Sequence, residues 1–368
     1  MTKSLLLLGG VLPAVQFLRR AQECVENVHI IAQKDDAIIF SKYGEKFLYS
    51  QPQDCLAVIR LWITKHAENS QEWLVIPCSE FFVQYIEELR GSGFEVFAPS
   101  CQELNTFYDK SAMYTWLGSL GIEVAGFSQL DEQLDFTDDK RYIIKSAKAT
   151  DDYSAPFKTK IVSEKEELET VRRIIPKNYW HNFVIQRLYK NNQSISYGGV
   201  WMNGEEIASI IVRQVRQYPQ GITSHTVKET DIEDIKVIKA AIDKISSNVV
   251  LHGFIELEFI KNEVGLYPID LNPRLWGWSN FLFYNYPQIP TVIFDWQQSS
   301  QIENKNIISW SNIWRDIPAI LKSKNSICLK VKLISTLFKV SKKDFIFWDD
   351  IKPEFSAILK KLGQRKKR

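Results

Sequence analysis

Short apolar runs alternate with amphipathic stretches through the first hundred residues: "LLLL" at 5–8, "HIIA" at 29–32, "KFLY" at 46–49, "WLVIP" at 73–77 and "FEVFAP" at 94–99. Runs of this kind, separated by helix-period segments, predict an α/β layer with a mostly parallel sheet over residues 1–105. A new unit begins near Thr106. The segment "TFYDKSAMYTWLGSLGIEV" predicts a helix closed by Gly118 or Gly121, with Thr106 as its cap and Asp109 in its first turn. The strand "RYIIKSA" follows, then "KATDDYSAPFKTK", which has no apolar periodicity and reads as a loop. "KIVSEKEEL" predicts a strand and a helix opened by a Ser163/Glu166 capping box. Strands then run to about residue 218, broken at Asn191/Asn192 and at the Asn203/Gly204 turn, before a helix over Ile232–Ser246. From 298 onward the pattern is helical and lysine-rich.

One hairpin departs from the bland pattern. In "ELEFIKNEVGLYPIDLNPR", residues 256–274, Ile255, Leu257 and Phe259 share one face of the first arm, and Glu256 and Glu258 share the other. A turn with Asn262 and Gly265 leads to the second arm, where Asp270 and Asn272 fall on one face because side chains repeat every second residue. A hairpin of this length brings Glu258 opposite or diagonal to Asp270, and two carboxylates that close repel unless a proton or cation lies between them. With the Asn272 amide the set is all oxygen, which suits a hard cation such as Mg²⁺ that completes its shell with phosphate and water. The competing reading is an exposed acidic sheet face.

Lysines stand at ordered places before this hairpin. Lys110 lies in a first helical turn, Lys145 ends the strand "YIIK", and Lys160 begins the strand after the loop. Polyphosphate spreads its charge over several oxygens, so separated cations suit it better than one. Between lysines and carboxylates, "FVIQRLYK" offers strand backbone groups to a purine edge. A dinucleotide reading of "LLLLGGVLPAV" fails for want of G-x-G-x-x-G and of an acid after the second strand, where Gln33 and Lys34 stand.

Composition bounds the partners. The 368 residues carry 46 Lys and Arg against 44 Asp and Glu, a net +2, but residues 322–368 hold 14 basic against 4 acidic, a balance of +10. That tail lacks interleaved aromatics apart from Phe345, Phe347, Trp348 and Phe355, so nucleic acid is not expected as a partner, whereas weak association with a membrane surface is. Five widely spaced cysteines without C-x-x-C, no signal-like start and no long apolar run lead to the expectation of a cytoplasmic protein with reduced thiols.

Together these residues resemble the ATP-grasp superfamily of carboxylate–amine ligases, the carbamoyl-phosphate-synthetase and biotin-carboxylase-like kind, over about residues 1–297. The match rests on "LEF" followed by "DLNPR", with Asp270 where the family usually has glutamate, and on "DK" at Asp109/Lys110. Lys145 and Lys160 match the family's nucleotide-contacting lysines. "VIQRLYKNNQS" is similar to its hinge, which implies nucleotide contacts from Gln186, Arg187 and Leu188, although Arg187 stands where glutamate is common and Asn191–Ser194 bring no acid for the ribose. "RQVRQYPQGITS" is similar to the substrate-side arginines, here Arg213 and Arg216, and the following loop, where His225 reads as an ordinary loop histidine.

The resemblance implies mixed α/β and α+β architecture: a Rossmann-like pre-ATP-grasp domain at 1–105, an ATP-grasp domain of two clamping subdomains at 106–297, and a helical basic extension at 298–368. It implies ATP with two Mg²⁺, replaceable by Mn²⁺, held by Glu258, Asp270 and Asn272. The implied reaction activates a carboxylate as an acylphosphate and couples it to an amine, with Arg274 on the transferring phosphoryl group and loop 146–158 closing over the phosphates. The alternative is a nucleotide-binding regulatory or scaffold protein of the same fold without turnover.

Overall fold

The structure is a computed structural model and describes residues 3–137, 140–147, 153, 155–189, 192–219, 221–295, 302–323, 325–344 and 349–357. The chain opens with β1 (Ser4–Leu8), α1 (Leu12–Ala21), β2 (Val28–Gln33), β3 (Glu45–Tyr49), α2 (Cys55–His66), β4 (Trp73–Pro77), α3 (Ile86–Gly91) and β5 (Glu95–Val96). The five strands pair in parallel in the order β3-β2-β1-β4-β5. Leu5 and Leu7 enter one core and Leu6 and Leu8 another, which explains the uninterrupted apolar run: both faces of a parallel sheet are covered.

The single helix expected from Thr106 is two. α4 (Cys101–Tyr108) starts at Ser100, which forms a capping box with Glu103, and Thr106 lies inside it, donating its hydroxyl to the Gln102 carbonyl. α5 (Lys110–Ser119) restarts at Asp109, whose carboxylate accepts from the Ser111 and Ala112 amides. An acid in extended geometry at a helix start satisfies two otherwise orphaned N–H groups, so Asp109 breaks the helix and caps the next one.

β6 (Phe127–Gln129), β7 (Arg141–Ser146), β8 (Thr159–Val162), α6 (Lys165–Ile174) and β9 (Phe183–Leu188) follow. The strands form an antiparallel sheet in the order β6-β9-β7-β8, with α6 packed on one face through Leu168 and Val171. The expected Ser163/Glu166 box does not form: Glu164 is the cap and makes no side-chain cap hydrogen bond, while the Ser163 amide donates to Glu167 at 2.6 Å.

A larger sheet comes next: β10 (Gln193–Met202), β11 (Glu205–Gln217), β12 (Thr223–Lys228), α7 (Ile232–Ser246), β13 (Gly253–Lys261) and β14 (Leu266–Asn272). After α8 (Ser279–Asn285) and α9 (Ile289–Phe294) come β15 (Ser309–Asn312), α10 (Ile313–Lys322), α11 (Ile327–Leu337) and β16 (Lys342–Asp344). The order β14-β13-β10-β11-β12-β15-β16 makes seven strands, so the expected all-helical region beyond 298 also supplies two strands to this sheet. One face packs on α5 and α7 through Ile255, Leu257 and Phe259. The other carries Phe254, which shares a core with Trp276, Trp278, Leu5, Leu7 and Phe17 and so joins the large sheet to the first layer.

Candidate active site

The carboxylates meet because the hairpin is irregular. Lys261, Ile260 and Phe259 pair in step with Leu266, Tyr267 and Pro268, and then Ile269 is left without a partner, so that Glu258 pairs with Asp270 and Glu256 with Asn272. An extra residue in one arm is a β-bulge, which re-aims the side chains beyond it. Four polar side chains thus share the face opposite the apolar triplet. On the neighbouring strand, Ser196 pairs with Glu258 and Gly198 with Glu256. Gly198 has no alternative: a Cβ there would lie 2.4 Å from the Trp276 ring and 2.6 Å from that of Trp278. The approach lets Trp278 donate its indole N–H to Glu256 at 2.7 Å, while Asn272 Nδ2 donates to the same carboxylate at 3.1 Å.

Electrostatics separate the three acids. Burial opposes ionisation of Asp270, but Lys110, 2.5 Å away at the start of α5, together with Arg274 and Lys145, holds its pKa below the ordinary value. Glu258 has no such contact among the described residues. Burial and then the Asp270 charge push it up to about 7, against the weaker pull of Lys110, Arg274 and Lys158. Glu256, more deeply buried and next to Glu258, is also held well above its ordinary value, by burial first and then by the Glu258 charge. Lys145 moves the other way: burial and the Lys110 charge bring it down to about 8.

The four-stranded sheet presents its own set. Ile143 pairs with Gln186 and Lys145 with Val184, placing these side chains on the face away from α6. Lys145 donates to Gln186 Oε1 at 2.9 Å, and Tyr114 OH donates to the same oxygen at 3.3 Å. The buried Gln186 Nε2 has no partner among the described residues, so a donor is left over at this point. Leu188 ends β9 on the same face, while Arg187 alternates to the other side, with its guanidinium 4.9 Å from the Tyr189 ring centroid. Register sets Lys160 apart from Lys145: it pairs with Ile144, a residue of the α6 core, and stands exposed on that side of an edge strand. Lys158, just outside β8, adds its charge to those of Lys110 and Arg274 at Glu258. Residues 148–152 and 154 of the expected phosphate-covering loop lie outside the described residues; Tyr153, Ala155 and Phe157 pack against the α6 core.

The arginines divide. Arg274 donates to Asn272 Oδ1 at 3.0 Å and to the Leu275 carbonyl at 3.1 Å, and it lies 3.4 Å from Glu80. Neither Arg213 nor Arg216 joins the carboxylates. Arg213 pairs with Ile195, whose side chain faces α7, so it occupies the opposite face and meets Glu229 at 3.4 Å. Arg216 donates to Asp316 at 2.7 and 2.6 Å and also contacts His225. His225 belongs to β12 and is buried, not in a loop. Sequence reasoning missed Arg315 of α10. Its guanidinium lies beside Gly277, in the segment leaving the hairpin, and among the described residues it makes one long hydrogen bond of 3.4 Å, to the Thr223 carbonyl. No local motif marks it, because only the fold brings α10 to that segment.

Solved structures share this fold. Biotin carboxylase from Campylobacter jejuni, in complex with β,γ-ATP, superposes with a TM-score of 0.65 at 13% identity, covering 83% of this chain and 74% of that one. The N5-carboxyaminoimidazole synthetase of Staphylococcus aureus gives 0.57 at 14% over 74% and 70%. The biotin carboxylase domain of Hydrogenobacter thermophilus 2-oxoglutarate carboxylase, solved with MgADP and bicarbonate, gives 0.60 at 13% over 78% and 67%. The fold is that of the ATP-grasp proteins. No family model matches the sequence, and no curated protein matches it either.

Within this ATP-grasp frame the donor set fits a divalent cation of a particular kind. Among the described residues no three acidic, histidine or cysteine side chains converge on one point. The site offers Glu258 and Asp270 face to face with Asn272 beyond them, so most of an ion's shell must come from phosphate and water, as Mg²⁺ prefers. Lys110 now neutralises one of the two acids, while the other is raised by burial and by its neighbour's charge.

Proposed function

We propose that the chain is an ATP-dependent ligase that activates a carboxylate as an acylphosphate and couples it to an amine, releasing ADP and phosphate. The observation that carries this reading is Glu258 facing Asp270 across the bulge, within the field of Lys110, Lys145 and Lys158. Phosphoryl transfer depends chiefly on positioning and on neutralising charge, and paired acids beside separated cations provide for both. In this reading Glu258, Asp270 and Asn272 hold Mg²⁺, which supplies charge neutralisation at the phosphate oxygens when bound.

Lys110 and Lys145 bind phosphate oxygens, Gln186 Nε2 donates to the nucleobase, and the Leu188 backbone borders it. Arg274, now on Asn272 Oδ1, turns to the transferring phosphoryl group, for which its planar fork suits it. Arg315, poorly satisfied where it lies, receives the carboxylate of the acid. Residues 1–105 act as the pre-ATP-grasp layer, 106–297 as the nucleotide clamp and 298–368 as an extension that lends Arg315. Small-molecule acid and amine are the partners.

Hydroxylamine tests the reading without knowledge of the natural amine, because it intercepts an acylphosphate as a hydroxamate. Pools of carboxylic acids incubated with the protein, MgATP and hydroxylamine are expected to give hydroxamate and ADP in equal amounts for one chemical class of acid. Tight nucleotide binding with no acid-dependent ADP from any pool points instead to a nucleotide-binding protein without turnover.

A further inference from the structure

α11 is the least buried of the long helices and among the most apolar. Ile327 is 82% exposed, Val331 63% and Phe338, just past its end, 82%. The spacing of four and seven residues sets these three side chains along one stripe, about 40° wide, of a 3.6-residue helix. The helix is fixed to the protein by the adjoining flank: Leu333 and Leu337, with half-buried Ile334 at the border of the stripe, pack with Val340 against Ile313, Ile317 and Ile320 of α10. The stripe is therefore presented outward by an anchored helix, and Leu321 at the end of α10 is 54% exposed as well.

The charge around the stripe has one sign. Residues 322–343 contain seven lysines, at 322, 324, 330, 332, 339, 342 and 343, and no aspartate or glutamate. Later acids do not compensate, because they are engaged elsewhere. Asp344 is buried against Asn280 and Tyr284, Asp349 accepts from the Tyr43 hydroxyl, and Asp350 and Glu354 are held by Arg19. Described lysines turn to neutral oxygens: Lys322 to the Tyr218 hydroxyl, Lys330 to the Leu321 carbonyl and Lys343 to the Val340 carbonyl.

We propose that α11 and its lysines form a docking face for an anionic lipid surface. Exposed apolar side chains flanked by lysines are what an interfacial helix needs: the stripe enters the boundary of headgroup and acyl chain while the ammonium groups meet phosphates. Charge excludes the self-complementary alternative, since a second copy related by a two-fold axis would oppose lysine to lysine. Nucleic acid would use the lysines but leave three large apolar groups without a partner. The helix lies on the surface and does not cross it, for no described helix is long and apolar enough to span a membrane. The inference stands on observations separate from the proposed ligase activity.

The test uses the full chain with vesicles of phosphatidylcholine alone and of phosphatidylcholine with a minority of phosphatidylglycerol. Co-sedimentation is expected with the anionic vesicles only, reversed by salt. V331S/F338S is expected to bind about tenfold or more weakly at unchanged melting temperature, because both side chains are exposed. K330Q/K332Q is expected to bind roughly fivefold more weakly per lysine replaced. A third variant, with the basic residues at 360, 361 and 365–368 changed to glutamine, separates this face from the terminal basic run and is expected to retain most of the binding. A fluorophore on the exposed Cys328 should shift to the blue on the anionic vesicles. Undiminished binding by V331S/F338S, binding lost only with the 360–368 charges, or an effect of V331S/F338S on self-association without any vesicle binding would each overturn the proposal.

Discussion

Near neutral pH the Glu258 carboxyl stands close to the midpoint of its titration, because burial and Asp270 raise it from about 4.5 to about 7. Below the ordinary value the acid is protonated in both folded and unfolded chains. Between that value and 7 the folded chain keeps a proton that the unfolded chain has lost, so this group's contribution to stability declines as pH rises through that window and is gone above it. A cation that needs the carboxylate reverses the preference. The gain in melting temperature from Mg²⁺ with a non-hydrolysable ATP analogue should therefore be larger at about pH 8 than at about pH 6, and Glu258→Gln should abolish the difference. Equal gains at both pH values in the native protein would remove Glu258 from the metal set. The lysines make a second comparison. Lys145→Met should weaken nucleotide binding by about 1.5–3 kcal/mol in calorimetry, whereas Lys160→Met should leave it unchanged. Both acids were legible from strand periodicity and the "DLNPR" match, but Lys160 was not separable from Lys158, because residues two apart share a face in a strand and only the start of β8 at Thr159 leaves Lys158 outside it.

Elements impose their own constraints on the site. The bulge at Ile269 turns Asp270 toward Glu258, and the Gly198 approach brings Trp278 within reach of Glu256. Gly198→Ala adds a methyl group where two indole rings already lie closer than van der Waals contact permits. The neighbours are rigid rings in a buried core, so the expected cost is about 1–3 kcal/mol in urea unfolding, with a change in tryptophan emission as Trp278 leaves Glu256. An alanine variant of native stability and spectrum would show that the rings can retreat without loss. The sequence foretold the hairpin's arms but no bulge, since the extra residue is defined by pairing with the other strand: Pro268 pairs with Phe259 and Asp270 with Glu258, a break in the alternation that no residue type marks. Helix boundaries failed for a related reason. Thr106 and Asp109 are both acceptable caps, and Ser100 with Glu103, the box that starts α4, lies in a stretch that reads as the end of a strand.

At the scale of the whole molecule, the C-terminal region is tied to the first layer through one buried arginine. Arg19 of α1 reaches across to Asp350 at 3.2 Å and to both oxygens of Glu354 at 2.6 and 2.8 Å, and the three side chains are 6%, 2% and 8% exposed. Asp350 also accepts from the Ser41 hydroxyl and the Lys42 amide. The parallel first layer was readable from its apolar runs, but this tie was not, nor were β15 and β16. "SWSN" and "KKD" are too short and polar to declare themselves as strands, and they become strands because β12 offers an unpaired edge. Partners more than 300 residues apart leave no local trace. The tie has an asymmetric energetic signature, since removing one member of a buried ion pair leaves the others charged, desolvated and unpaired. Arg19→Met should therefore lower unfolding free energy by about 3–5 kcal/mol, with Asp350 and Glu354 both stranded. Adding Glu354→Gln to that variant removes one stranded charge and should recover part of the loss, so the two changes should not be additive. If Arg19→Met unfolds at the native urea concentration, or if Glu354→Gln simply adds its own cost, the C-terminal region is held by its apolar contacts and the ion pair contributes nothing to holding it.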